Sequence, residues 1–132
     1  MSNETAARTP GAVRAGPGQH LFDLGTVNHI MGGPAYSTAN GSCIEGDRMI
    51  VALMRMPAGT GAEPHSHPNE QWIYILEGTF KAKIGDDEIT AKAGSVVYVP
   101  SNVVHSAKAT ADGDVVFFTV KDASHSLHGV KA

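Results

Sequence analysis

The sequence predicts an all-β domain, a sandwich or a barrel, on three observations. From about Met49 onward, apolar residues recur with period two or fill short continuous runs bounded by Gly, Pro, Asp or Asn. The 15 glycines and 7 prolines in 132 residues exceed the roughly 12% usual for this pair, a bias toward turns and strands over long helices. No internal repeat or heptad pattern competes with that reading.

Strands are expected over 49–56, 71–77, 79–84, 88–92, 96–99, 103–109 and 115–121, and seven short strands suit a sandwich or barrel. Gly85-Asp86-Asp87 separates the third from the fourth. Around it Phe80, Ala82, Ile84, Ile89 and Ala91 alternate with polar residues, the pattern of a half-exposed hairpin. Trp72-Ile73-Tyr74-Ile75-Leu76 and Val115-Val116-Phe117-Phe118 are apolar at every position, so both faces of those strands need cover. One face can fill the interior. The other requires a partner sheet, a docked N-terminal segment or a second subunit, and a homodimer is the expectation. Residues 2–19 are rich in Gly, Ala, Pro and Thr without hydrophobic period, which predicts a flexible arm over 1–19 ahead of one domain over 20–132.

A chain of this length suffices for one core burying about two thirds of its unfolded surface. Its net charge is −3 with no cluster of Lys or Arg, which argues against nucleic acid and anionic membrane as partners. The longest apolar run, 49–54, is far short of the ~18 residues of a spanning helix, so a soluble, cytoplasmic protein is expected. A single cysteine, Cys43, excludes an intramolecular disulfide and a cysteine-based zinc site. It has no His or Asp close by in sequence, which argues against a catalytic thiol.

The chemistry lies between Gly59 and His105. His65 and His67 are two apart, so on an extended strand their imidazoles share a face, and Gln71, six beyond His65, returns to it if the strand continues. His105 follows the Pro100-Ser101-Asn102 turn on another strand. Three imidazoles and an amide carbonyl converging in a barrel make a compact site for one divalent metal. Glu70 has an odd offset and points away unless a bulge intervenes. His20, His29, His125 and His128 lack partners at ligand spacing and read as surface residues. Arg55 is either a snorkelling edge residue or a clamp for a substrate carboxylate.

Gly59, five residues, His65, Ser66, His67, three residues, Gln71, six residues, Gly78 resembles the first cupin motif, with Gln where most cupins have Glu. Gly94, five residues, Pro100, one residue, Asn102, two residues, His105 resembles the second, with Asn in place of the usual Gly. The resemblance implies a double-stranded β-helix, or jelly-roll barrel, with the metal on His65, His67, Gln71 and His105. The run from His65 to Gly78 looks most like the pectin-degradation cupins of the KdgF type, which linearise unsaturated uronates on a His/His/Gln/His set. Those relatives carry an Asp-x-Phe arrangement and a downstream Arg where this chain reads Thr119-Val120-Lys121-Asp122, so the substrate stays open. Cupin hydroxynitrile lyases use a similar set.

A neutral ligand set leaves a divalent metal (Mn, Fe, Ni, Co or Zn) its full charge, which strengthens polarisation of bound carbonyl and alkoxide oxygens and disfavours oxidation. The expected function is therefore redox-neutral Lewis-acid chemistry, of isomerase or lyase type, on a small oxygenated or carbonyl metabolite that supplies negative charge. The alternatives are a three-histidine Fe(II) dioxygenase of a β-diketone or hydroxy-aromatic compound, and a non-enzymatic cupin that binds a sugar or other small molecule. The catalytic acid or base is unassigned.

Overall fold

The computed structural model describes residues 7–132. It holds twelve strands: β1 (Val13–Arg14), β2 (Ile30–Met31), β3 (Asn40–Glu45), β4 (Met49–Met56), β5 (Gly61–Ser66), β6 (Gln71–Glu77), β7 (Thr79–Ile84), β8 (Asp87–Lys92), β9 (Val96–Val99), β10 (His105–Ala109), β11 (Val115–Asp122) and β12 (Val130–Lys131). One sheet has the order β1-β3-β4-β11-β6-β9 with β2 also paired to β3, and the other has the order β12-β5-β10-β7-β8. This is the expected all-β jelly-roll barrel. Among the described residues no helix is long and apolar enough to cross a membrane.

Alternation positions the core. On β4, Ile50, Ala52, Met54 and Met56 are buried, while Met49 and Arg55 are exposed. On β11, Val115, Phe117, Thr119 and Lys121 face in. The register aligns Glu45, Ile50, Lys121, Gln71 and Val99 as one buried row across the first sheet. Cys43, Ala52, Thr119, Ile73 and Val97 form the next row. Burying side chains such as Ile50 and Ile75 contributes about 1.5–3 kcal/mol each. Lower in the barrel, Phe80 from one sheet meets Phe117 from the other at 6.1 Å between ring centroids.

The expected arm differs from what is found. Residues 1–6 lie outside the described residues, but 8–15 are tied down: Val13 and Arg14 pair in parallel with Ile44 and Glu45, and the Ala15 N–H donates to the Glu45 carbonyl at 2.8 Å. Glu45, buried, accepts the Arg8 and Thr9 amides at 2.6 and 2.9 Å. A buried carboxylate needs such donors, and this one draws the N-terminal segment onto the sheet. On the outer face of β6 and β9 neither a partner sheet nor the N-terminal segment supplies the expected cover among the described residues, which leaves a second subunit. Trp72, Tyr74, Leu76, Val96 and Tyr98 are 40–56% exposed in the single chain.

Candidate metal centre

The site sits where the two sheets meet. β5 carries an irregularity: opposite the step from His105 to Ala107 on β10, it takes three residues, from His65 back to Ala62. Glu63 and Pro64 absorb the extra residue, and both Ala62 and His65 end up buried. A bulge re-aims side chains in this way, and Pro64 lacks the N–H that a regular ladder would use. His105 lies directly opposite His65. β5 ends at Ser66, and His67 follows it, buried, in the loop to β6.

The strand does not continue to Gln71, as the even spacing had suggested. The chain turns at 67–70 and Gln71 opens β6 in the other sheet, so the four residues converge across the barrel. Asn102 helps to join the two motifs. It adopts φ 64°, a left-handed conformation that Gly takes freely and Asn tolerates, and its N–H donates to the His67 carbonyl at 2.9 Å.

The three imidazoles are oriented alike. Each Nδ1 meets a carbonyl two residues away: His65 to Glu63 at 2.7 Å, His67 to Asn69 at 2.8 Å, His105 to Val103 at 2.9 Å. A carbonyl only accepts, so the Nδ1 atoms carry the protons and the Nε2 lone pairs are bare. Ligand nitrogens of His65, His67 and His105 lie within 4.8 Å of one another. Nε2 of His67 and of His105 is buried with no hydrogen-bond partner among the described residues. Leaving such acceptors unpaired costs about 1–3 kcal/mol each. Three neutral imidazoles with inward lone pairs are the donor set a divalent transition metal takes, and this cluster can hold one.

Burial keeps the rings neutral. It pushes His65 down to about 3 and His67 down to about 4, and it lowers His105 as well; the Lys121 ammonium adds to all three shifts. In an unfolded chain these histidines protonate near their ordinary value of about 6.5, so between that pH and about 4 the unfolded state binds more protons. Stability therefore falls as pH falls through this window. We expect Tm of the chelator-treated protein to drop steadily from pH 6.5 to about 4, measured by calorimetry. A flat profile there would contradict neutral buried rings.

Gln71 is held by a chain of hydrogen bonds. The Thr119 hydroxyl donates to the Trp72 carbonyl at 2.9 Å, so its lone pair accepts the Gln71 Nε2–H at 2.8 Å. That leaves Oε1 as the free end of the amide. The amide stands beside His67, whose proton affinity it raises.

Beside the cluster lies a cavity of about 70 Å³ that His65, Gln71 and His105 help to line. Tyr36 stacks on His65 with ring centroids 4.0 Å apart, and its hydroxyl accepts the Gly129 N–H at 2.7 Å. The segment before β3 and the C-terminal tail thus close the mouth together. Asn69 clamps the tail, its Nδ2 donating to the carbonyls of Asp122 (3.0 Å) and Ser126 (3.0 Å). Leu127 and Lys121 also line the cavity, and among its described lining residues there is no carboxylate. Burial pushes Lys121 down to about 7. Lys121, Thr119 and Tyr36 were not singled out as site residues from sequence. For Lys121 the signal was present, since it interrupts the inward period of Val115, Phe117 and Thr119.

Other expectations resolve simply. Glu70 points outward and accepts the Tyr98 hydroxyl at 2.8 Å. Arg55 pairs with Asp114 at 3.0 Å and does not line the cavity. Cys43 is buried, and burial pushes its thiol up to about 12, which leaves no thiolate for nucleophilic work. His29 and His128 bond to Asn40 Oδ1 and to the Met31 carbonyl, each at 2.9 Å, away from the cluster.

Comparison with known proteins agrees with this architecture. No curated protein matches the chain. Among solved structures, the cupin domain of Schizosaccharomyces pombe Cnp3 superposes with TM-score 0.63 at 20% identity, over 77% of this chain and 72% of that one. KdgF from Halomonas sp. gives 0.53 at 18%, over 57% and 68%. A predicted oxalate decarboxylase from Thermotoga maritima gives 0.52 at 28%, over 55% and 64%, so this chain spans under two thirds of that protein's length. The family model of the cupin domain matches residues 52–121. Since that span contains His65, His67, Gln71 and His105 together with the strands that carry them, the chain belongs to the cupin family.

Proposed function

We propose that the protein is a mononuclear metal enzyme of redox-neutral, isomerase or lyase type, acting on a small oxygenated metabolite that brings negative charge to the site. The observation that carries this reading is a cavity with imidazole and amide donors and no carboxylate among its described lining residues. His65, His67 and His105 would hold the metal through Nε2, with Gln71 Oε1 as fourth ligand. A bound divalent metal supplies Lewis acidity to a substrate oxygen. Tyr36 and the tail around Leu127 exclude bulk water from the mouth. The likeness to KdgF and to the predicted oxalate decarboxylase is compatible with this class and selects no substrate.

The test is elemental analysis of protein purified without added metal, followed by turnover of uronates and hydroxy-carbonyl compounds with and without oxygen. Equal turnover in both atmospheres, lost in His67→Ala with the fold retained, is the expected outcome. The three-imidazole cluster, free of acidic ligands, also suits an Fe(II) dioxygenase, and oxygen uptake dependent on substrate would establish that reading instead. Full activity of metal-free protein would refute both. Tight binding of a sugar without turnover would point to a binding module.

If Gln71 is a ligand, Thr119 is its positioning residue. Thr119→Val should weaken metal binding by about tenfold, in the range found for groups that orient ligands, and Thr119→Ser should restore it. Competition with a chelating dye reads the effect, and equal affinity in Thr119→Val would remove Thr119 from this role.

A homodimer through the outer face of β6 and β9 is proposed as well. Trp72 lies against Tyr98 at 4.6 Å between ring centroids, and Tyr74 is in register with Val96, which makes the exposed apolar side chains contiguous. Light scattering should give twice the 13.8 kDa chain mass, and Trp72→Glu should return the single mass. A monomer at micromolar concentration would end this proposal.

A further inference from the structure

Lys121 is a lysine in the wrong place for a structural residue. It faces into the barrel from β11, in register with Gln71 on one side and Ile50 on the other, and it is 4% exposed. Its one hydrogen bond among the described residues runs from Nζ to the Leu127 carbonyl, although an ammonium has three protons to donate. No carboxylate among the described residues lies within ion-pairing distance of it. Glu45 is the acid of the same buried row, but it stands beyond Ile50, and its two oxygens are taken by the Arg8 and Thr9 amides. Cys43, the other titratable neighbour, is a protonated thiol.

An unpaired buried cation is costly, and an apolar side chain of similar volume would serve the core better. The cavity supplies the reason to keep it. Lys121 shares the lining with His65, His105 and Gln71, and it is the sole Lys or Arg among the described lining residues. A ligand that enters meets neutral donors at the imidazole cluster and one lysine amine beside it, the one basic group there that can pair with an anion.

We propose that Lys121 anchors the carboxylate of the ligand, and that the ligand is a short hydroxy- or oxo-carboxylate whose second oxygen faces the imidazole cluster. One ammonium matches the single charge of a carboxylate, and Lys121 has protons to spare for its two oxygens. The inference rests on the metal-enzyme reading for the second oxygen only; the carboxylate contact depends on Lys121 and the cavity alone.

The test compares wild type with Lys121→Met, metal-replete and chelator-treated, titrated calorimetrically with glycolate and with its neutral counterpart glycolamide. Metal content is measured on the same samples. Expected are a loss of glycolate affinity of about tenfold or more in Lys121→Met, unchanged glycolamide affinity, unchanged metal content, and a Tm without ligand at or above that of wild type. Equal glycolate affinity in the two proteins would overturn the proposal. So would parallel loss of both probes, or a lowered Tm with glycolate binding intact, which would make Lys121 a tether for the tail through Leu127. Absence of glycolate binding by wild type in either metal state would overturn it too. Absence of metal from wild type, with the glycolate difference preserved in chelator-treated protein, would refute the metal-enzyme reading and leave the Lys121 assignment standing.

Discussion

His105→Ala should reduce the metal content of the purified protein from about one per chain to near zero, with the barrel intact. His105 lies opposite His65 across the β5–β10 ladder and leaves a buried, unpartnered Nε2 in the wild-type chain. Its removal takes away one of three converging nitrogens, and the two that remain bind a divalent ion far more weakly. The same truncation deletes an Nε2 that has no hydrogen bond to lose and the Nδ1–H bond to the Val103 carbonyl, so the destabilisation comes from that one bond and the lost packing, about 1–3 kcal/mol. The diagnostic result is therefore a separation: elemental analysis shows loss of metal while circular dichroism and the unfolding transition of chelator-treated protein change little. Retention of a full equivalent of metal in both His105→Ala and His67→Ala would sink the assignment of the cluster.

Gly78→Ala should be among the most destabilising small substitutions in the chain. Gly78 is the single residue between β6 and β7, where the backbone leaves one sheet and enters the other. It does so at φ +85°, and a Cβ there would stand 2.2 Å from the Asp114 carbonyl oxygen, a backbone atom held next to β11. Left-handed strain and that overlap together should cost about 2–4 kcal/mol, or a fall in Tm of about 10 °C for a domain of this size. Gly113→Ala, where a Cβ meets nothing within 4 Å, is the control and should leave Tm nearly unchanged. Equal unfolding midpoints for the two variants would show that the crossover relaxes around a side chain.

The motif glycine at 78 also shows why part of this fold is readable in the sequence. A one-residue passage between sheets demands a residue without Cβ, and the strands on either side announce themselves by alternation: 49–56, 71–77, 79–84 and 96–99 are found where the pattern puts them. β3 escapes because Asn40-Gly41-Ser42-Cys43-Ile44-Glu45 is buried largely through polar and small residues, with Glu45 serving the N-terminal amides rather than solvent. β5 escapes because Pro64 and the extra residue of its bulge break the period of two. β1, β2 and β12 are two-residue pairings that depend on tertiary neighbours and have no periodicity of their own.

The candidate site divides in the same way. His65, His67, Gln71 and His105 are legible because ligand spacing is a local property, though the path that brings Gln71 to the others is not: periodicity alone does not distinguish a continuing strand from a turn into the opposite sheet. Thr119, paired with Ile73, and Lys121, paired with Gln71, reach the site through the β11–β6 register, a relation between positions 46 and 50 residues apart. Such pairings are fixed only when the barrel closes.

That closure gives the histidine cluster a mechanical meaning. His65 and His105 belong to one sheet and Gln71 to the other, so an ion shared among them would rivet the two sheets at one end of the barrel. The end where Phe80 packs on Phe117 is held by that contact and by the short Gly78 passage between the sheets, neither of which needs an ion. Stripping the ion should therefore loosen the barrel unevenly, like a hinge with its pin drawn. Amide exchange should quicken around His67 and the clamped tail while the Phe80–Phe117 end keeps its protection.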